Sequence, residues 1–150
     1  FLLWIWQLPQ NLVGFFMTLN RVAVLKHKVY ISEDKKNKEI KVYYTNNVAG
    51  CGVSLGDYII LDYKHYYPSL DPNNITEWMK TTIKHEYGHS IQSKMLGPLY
   101  LLVVGLPSAI FNNLWQRLFM RHLTPSESIK WYYNRYPEKW ADRLGGVIRR

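Results

Sequence analysis

The stretch ITEWMKTTIKHEYGHSIQSKMLGP, residues 75–98, decides the fold that we predict from the sequence. Only Gly88 interrupts its helix-forming residues before the Gly-Pro pair at its end, and glycine followed by proline is a typical helix stop. Asn74 followed by Glu77 resembles a capping box, in which the two side chains satisfy the free amides of the first turn. The pattern therefore predicts one central helix over residues 75–96.

This helix carries two histidines four residues apart, with a glutamate directly after the first, which is the spacing HExxH. At about 100° per residue, the side chains of His85 and His89 lie about 40° apart around the helix and one turn apart along it. Both imidazoles can therefore reach one ion, and Glu86 is placed to contact a metal-bound water rather than the metal. The alternative is a pair of surface histidines with an incidental glutamate, and a third ligand decides between the two.

A catalytic zinc site takes three protein ligands and leaves one position open. The extended pattern HExxHxxGxxH requires glycine and histidine where this sequence has Gln92 and Met95, so that class is excluded. His122 follows an arginine in a basic helical segment. We interpret His122 as a surface or interfacial histidine rather than a ligand.

A short helix near the end of the chain offers a better third ligand. It spans about residues 136–146, from a Tyr-Pro pair to a Gly-Gly pair, and on it Glu138 and Asp142 stand four apart and share one face. We predict that Glu138 binds the metal and that Asp142 hydrogen-bonds a ligand histidine and fixes its tautomer. The alternative is a surface pair in which each carboxylate contacts a neighbouring lysine or arginine.

Between Arg21 and Asp62 the pattern changes to short segments rich in Val, Ile and Tyr, namely RVAVLKHKVYI, KEIKVYYT and DYIILD. We predict three strands, of which the first two form a hairpin. The segment GVSLG, residues 52–56, matches the G-x-S-x-G elbow of serine hydrolases, but that elbow needs a helix after it, and a strand-like segment follows instead. We therefore interpret Ser54 as part of a glycine-rich edge strand.

Length and composition indicate one domain over residues 1–150, with a single Cys51 that excludes an internal disulfide framework. The first residue is Phe1 rather than Met, so we expect a fragment, a processed form or a trimmed chain. With 19 Lys and Arg against 11 Asp and Glu, the formal net charge of +8 suits an anionic membrane or a nucleic acid. The 12 Tyr and 6 Trp fit either partner, but the sequence has no motif with the spacing of a nucleic-acid-binding module.

Two apolar parts of the chain, residues 1–20 and 95–123, favour a membrane over a nucleic acid. The first is broken by polar residues and proline, and the second joins MLGPLYLLVVGLPSAI to the amphipathic, basic FNNLWQRLFMRHL. Neither contains the roughly 20 consecutive apolar residues that span a bilayer. We expect membrane association through these parts, and burial in the core of the domain is the alternative.

An HExxH motif followed by a helix with Glu-x-x-x-Asp, here His85-Glu86-His89 and Glu138-Asp142, resembles the gluzincin zinc metallopeptidases. The small size is similar to that of their minimal single-domain members, the minigluzincins. The resemblance implies an α+β fold, with a small antiparallel sheet packed on the HExxH helix and a later glutamate-bearing helix. It also implies a Zn²⁺ cofactor and hydrolysis of peptide bonds, with Glu86 as the general base.

The resemblance implies further residue roles around this centre. The strand before the active-site helix is expected to rim the cleft and pair with an extended peptide substrate, a role that falls to Ser54, Leu55 and Gly56. Three tyrosines are candidates to stabilise an oxyanion by their place in the sequence alone: Tyr132, Tyr133 and Tyr136. The apolar and basic segment between the two motifs departs from the minimal soluble members and suggests a membrane-associated enzyme.

Two other functions remain alternatives. One is an intramembrane zinc protease, although the 75–96 helix is too polar to span a bilayer and Asp142 is followed by arginine rather than glycine. The other is a non-enzymatic domain that binds a membrane surface or a nucleic acid, with its zinc structural or absent. A structural zinc normally takes four protein ligands, and the sequence offers no obvious fourth one.

Overall fold

The computed structural model describes residues 1–19, 21–31, 36–46, 52–62 and 76–149. Within them the chain has the α+β fold that the sequence predicts. The helices are α1 (Leu2–Trp6), α2 (Leu8–Met17), α3 (Glu77–Leu96), α4 (Leu101–Phe119), α5 (Pro125–Tyr133) and α6 (Glu138–Gly145). The strands are β1 (Arg21–Ile31), β2 (Lys36–Thr45), β3 (Gly52–Leu55) and β4 (Tyr58–Asp62).

The four strands form one sheet in the order β1-β2-β4-β3. The predicted hairpin of β1 and β2 is confirmed, and Ser54 lies in the edge strand β3, which a turn and another strand follow. β2 and β4 run parallel, with Val42 opposite Ile59. The sheet is therefore mixed, and the expectation of a wholly antiparallel sheet is wrong. The reason is that β4, the second strand of the β3–β4 hairpin, lies next to β2 and leaves β3 at the edge.

The hydrophobic core lies between this sheet and α3. Met79, Ile83 and Tyr87 are spaced four apart, so they form one stripe on α3. They are buried in one cluster with sheet residues Val29, Ile40, Val42, Tyr44, Ile59 and Leu61. His85 and His89 lie roughly 200–240° around the helix from Ile83, so they face away from the sheet.

The ends of α3 are fixed by its caps. The Thr76 side chain accepts a hydrogen bond from the Met79 amide at 3.3 Å, and the described helix begins at Glu77. Asn74, the predicted cap, lies outside the described residues. Gly97 ends the helix as predicted, with φ of 54°, a left-handed value that glycine adopts without steric cost. A capping box of Thr124 and Glu127 fixes the start of α5.

α6 packs backbone to backbone against α3. A Cβ atom on Gly88 of α3 would lie 1.9 Å from the carbonyl oxygen of Ala141, and one on Gly145 of α6 would lie 1.9 Å from that of Lys84. Both distances are far below van der Waals contact, so only glycine permits this approach. The close packing brings Glu138 and Asp142 to the face of α3 that carries the histidines.

Replacing Gly88 with alanine is therefore expected to destabilise the fold by about 1–3 kcal/mol or more, because the two helix backbones must separate. Gly105→Ala is the matched control, since its nearest new contact would be at 3.5 Å and alanine favours a helix. Chemical denaturation compares the two with the wild type. Equal midpoints for Gly88→Ala and the wild type would show that the two helices are not packed in this way.

The apolar parts of the chain are helical. Residues 1–19 form α1 and α2, and the segment after α3 continues through a short 3₁₀ turn, Gly97–Leu99, into α4, which is π-helical over much of its length. In the described residues, no single helix has both the length and the apolar content for crossing a membrane. The pair Glu77–Leu99 and Leu101–Phe119, bent by 119°, meets those two criteria together.

Candidate metal centre

Three buried side chains from α3 and α6 converge at one point. The Nε2 atom of His85 lies 3.1 Å from Oε2 of Glu138, and Nε2 of His89 lies 2.9 Å from the same oxygen. One nitrogen or oxygen from each residue can be chosen so that all lie within 4.8 Å of one another. The predicted ligand set is thus brought together, and it could hold one metal ion.

The far nitrogen of each histidine is held by a second side chain. Nδ1 of His85 lies 2.7 Å from Oδ1 of Asp142, as predicted, and Nδ1 of His89 lies 2.7 Å from Oε1 of Gln92. Gln92 donates from Nε2 to the Pro137 carbonyl at 3.2 Å, so its oxygen faces the histidine. Both acceptors require a proton on Nδ1, so a neutral imidazole directs its Nε2 lone pair at Glu138.

This arrangement requires positive charge at its centre. Two nitrogen lone pairs and a carboxylate oxygen repel one another unless a cation lies between them or a histidine is protonated. Burial would lower the pKa of His85, but Asp142 and Glu138 outweigh it and raise that pKa to about 9. Burial would likewise raise the pKa of Glu138, but its bonds to the two histidines hold it well below its usual range. Two nitrogens and one oxygen fit a divalent metal such as zinc, with a position left open.

The second oxygen of Glu138 is held by α4. Ser108 donates from Oγ to Oε1 at 2.5 Å, and Asn112 donates from Nδ2 to the same oxygen at 3.2 Å. Asn112 is fully buried and also donates to the Tyr136 carbonyl at 3.1 Å. α4 comes from the part of the chain that the sequence predicts to be a membrane-associated insertion. It therefore also orients Glu138, a predicted metal ligand. This role of α4 was not predicted from the sequence.

Glu86 lies beside this centre without joining it. Its side chain is buried, and among the described residues Oε2 has no hydrogen-bond partner. A Cβ on Gly52 of β3 would lie 2.9 Å from Oε1, so the strand packs directly on this carboxylate. Burial raises the pKa of Glu86. A carboxylate with a free oxygen and a raised pKa is suited to accepting a proton.

A cavity of about 720 Å³ opens at the centre, with His85, Glu86 and His89 in its wall. Strand β3 forms one side, where Ser54 and Leu55 of the predicted rim line it. Gly56, the third predicted rim residue, lies in the turn to β4 and packs against Asn11 instead. α4 and α5 form the other sides, mostly with apolar side chains. The cavity is thus bordered by the edge strand of the sheet.

The three candidate tyrosines occupy different places. Tyr132 and Tyr133 line the cavity, whereas the Tyr136 hydroxyl donates to the Val103 carbonyl at 2.5 Å and Tyr136 is not part of the lining. The Tyr133 ring packs edge-on against His85, with centroids 4.9 Å apart. Burial raises the pKa of Tyr132, so its phenol stays protonated at neutral pH and able to donate. Tyr132 and Tyr133 therefore both remain candidates, and the Tyr132 hydroxyl accepts a hydrogen bond from Asn113 Nδ2 at 3.3 Å.

The sequence also drew attention to His122 and Cys51. His122 is exposed in the turn after α4 and does not belong to the ligand cluster, in line with its interpretation as a surface histidine. Cys51 lies outside the described residues.

No family model matches the chain, and no curated protein and no solved structure matches it either.

The residues behind the histidines give a direct test of the centre. Asp142→Ala and Gln92→Ala are each expected to weaken Zn²⁺ affinity about 10–100-fold, because each releases the orientation and tautomer of one ligand histidine. Competition with a chromophoric chelator measures the affinity. Glu39→Ala, which removes a surface carboxylate paired with Lys26 at 3.1 Å, is the control and should bind as the wild type does. Wild-type affinity in both test variants would mean that the ion binds elsewhere.

Proposed function

We propose that this protein is a zinc metallopeptidase of the gluzincin type. The observation that carries the proposal is the convergence of His85, His89 and Glu138 beside a cavity whose wall also includes Glu86, a buried carboxylate with one oxygen that has no hydrogen-bond partner among the described residues. Three ligands with a cavity on the open side are typical of catalytic zinc, whereas structural zinc is closed by a fourth protein ligand. The geometry therefore favours an enzyme over a structural zinc domain.

The two histidines and Glu138 would hold Zn²⁺, which would supply Lewis acidity and lower the pKa of a bound water to about 7. Glu86 removes a proton from the attacking water and then delivers it to the leaving amine. Tyr132 donates a hydrogen bond to the carbonyl oxygen as negative charge develops on it. Asp142 and Gln92 keep the imidazoles oriented, while Ser108 and Asn112 hold the carboxylate of Glu138.

A peptide is the substrate class that the cavity suits best. β3 is an edge strand, and such an edge can pair with an extended peptide backbone. The walls opposite it carry apolar side chains, among them the fully buried Val104. We infer a preference for large apolar side chains near the cleaved bond.

The intramembrane protease is the weaker alternative. α3 carries the predicted ligands His85 and His89, yet it begins with Glu77 and Lys80, which are exposed and paired with each other at 2.8 Å. Charged residues of this kind are costly in the centre of a bilayer. This charge distribution favours a helix that lies outside the hydrocarbon core.

The proposal is tested by incubating the zinc-loaded chain with a peptide pool and with apolar peptides in detergent micelles. We expect cleavage that stops on chelation and returns when zinc is added. A folded, zinc-loaded chain that leaves every peptide intact, in buffer and in micelles, would refute it. Mass spectrometry of the products also gives the side chains on each side of the cleaved bond.

A further inference from the structure

The two N-terminal helices are polar inside and apolar outside. Gln7, Gln10 and Asn11 are fully buried, although such side chains usually face water. Gln10 donates to Ser93 Oγ and to the Gly97 carbonyl, both at 2.9 Å, and thereby attaches α2 to the end of α3. The exposed side chains of α1 and α2 are apolar: Leu2, Leu3, Ile5, Trp6, Leu8, Leu12, Val13, Phe15 and Phe16.

α4 repeats this inversion. Its buried positions include Asn112, and Ser108 also points inward to Glu138, whereas most of its large apolar side chains are exposed. They are Leu102, Val103, Leu106, Ile110, Phe111, Leu114, Trp115, Leu118 and Phe119. A helix facing water shows the opposite pattern, so this face is suited to an apolar environment.

The two regions meet at the end of α3. Trp6 of α1 donates from its indole nitrogen to the Lys94 carbonyl at 3.1 Å and packs on Gly97, from which the chain continues into α4. We call the exposed apolar side chains of α1, α2 and α4 the apolar surface. The cavity reaches the apolar surface at Leu106, which lines the cavity and is 50% exposed.

The sequence that follows the apolar part of α4 is mostly basic. No charged residue occurs in residues 1–19 or 95–116. Beyond them, residues 117–135 contain four cationic side chains, Arg117, Arg121, Lys130 and Arg135, and one acidic residue, Glu127. An uncharged apolar face beside exposed cations is typical of proteins that lie in the interface of an anionic bilayer.

From the inverted helices and from the exposed cations Arg117, Arg121, Lys130 and Arg135 we infer that the chain docks on an anionic phospholipid membrane through the apolar surface. Because Leu106 belongs both to the apolar surface and to the cavity wall, docking would bring this wall of the cavity next to the bilayer. The docking itself depends on neither zinc nor catalysis. It can therefore be tested apart from the proposed peptidase activity.

Flotation of the purified chain with vesicles tests the inference. We expect it to float with vesicles of phosphatidylcholine and phosphatidylglycerol, and less with phosphatidylcholine alone or in high salt. Phe111→Glu and Leu118→Glu, which change residues 55% and 51% exposed, are expected to reduce partition roughly tenfold or more. Val24→Glu, at a 38% exposed strand residue outside the apolar surface, adds the same charge and should float as the wild type does.

Two further measurements make the outcome decisive. Thermal midpoints identify any variant that is unfolded, and two single variants are used so that one folded variant suffices. Glu86→Gln should float fully, which separates docking from catalysis. The inference is wrong if the wild type stays unbound with anionic vesicles, or if both glutamate variants float normally. A lipid-free dimer that Phe111→Glu converts to monomers, without flotation, would instead assign the surface to a second copy of the chain.

Discussion

Glu86→Gln is expected to retain its zinc and to lose peptide hydrolysis by about 10²–10⁴-fold. The amide has nearly the shape of the carboxylate but cannot accept the proton of the attacking water. Glu86 makes none of the contacts that bring the ligand atoms of His85, His89 and Glu138 together, so the affinity for the metal should hardly change. Steady-state cleavage of a peptide identified with the wild type, beside the zinc content of the same samples, gives both values.

Glu77→Gln is the control, because it makes the same chemical change on the same helix at an exposed first-turn residue. It should cleave as the wild type does. Wild-type turnover in zinc-loaded Glu86→Gln would remove Glu86 from the mechanism. The proposed proton acceptor would then have to be sought elsewhere in the cavity.

Glu138→Ala is expected to lower zinc affinity by more than about 100-fold. This loss is larger than the one expected for Asp142→Ala or Gln92→Ala, which remove residues that only orient a ligand histidine. One oxygen of this carboxylate faces both imidazoles, and the other is held by Ser108 and Asn112. The substitution removes a whole ligand together with the negative charge that balances the ion. Calorimetric titration of the metal-free protein with Zn²⁺ measures the change.

Ser108→Ala serves as a graded comparison for this result. It removes one hydrogen bond to Glu138 but leaves the carboxylate in place, so its loss of affinity should be much smaller. If Glu138→Ala kept wild-type zinc content after dialysis, the third ligand would be another residue. His122→Ala would then be the next variant to measure.

The parts of the fold and site that could be predicted from the sequence rest on local patterns. The HExxH spacing fixes two side chains on one helical face, and Glu138 and Asp142 share a face for the same reason. The Gly-Pro stop at Gly97 depends only on neighbouring residues and is confirmed. The convergence of α3 and α6 depends on packing between elements that are far apart in the sequence. The presence of three residues that commonly bind zinc, His85, His89 and Glu138, was nevertheless enough to suggest it.

The contacts from other elements could not be predicted in this way. Gln92 served only to exclude a longer motif, although its place three residues after His89 on a helix makes the contact geometrically natural. Ser108 and Asn112 stand four apart in an apolar run, and a polar pair at that spacing was the available signal. Nothing local specifies that α4 crosses the start of α6, where this pair meets Glu138.

The apolar segments were ambiguous because their pattern describes only which residues are apolar, not which side faces the protein. In residues 1–19 the polar side chains Gln7, Gln10 and Asn11 break the run and argue against a membrane span. In the structure these same residues are the buried ones, and the apolar face is outside. Tertiary contacts with α3 thus reverse the usual relation between polarity and burial.

The most direct test of the account is X-ray absorption spectroscopy of the zinc-loaded chain at the zinc edge. We predict one zinc per chain with two imidazole nitrogens at about 2.0–2.1 Å and oxygen ligands at about 2.0–2.2 Å, and without sulfur. In Glu138→Ala this spectrum should be lost or altered. A wild-type spectrum with a sulfur at about 2.3 Å, or with fewer than two imidazoles, would contradict a centre formed by His85, His89 and Glu138.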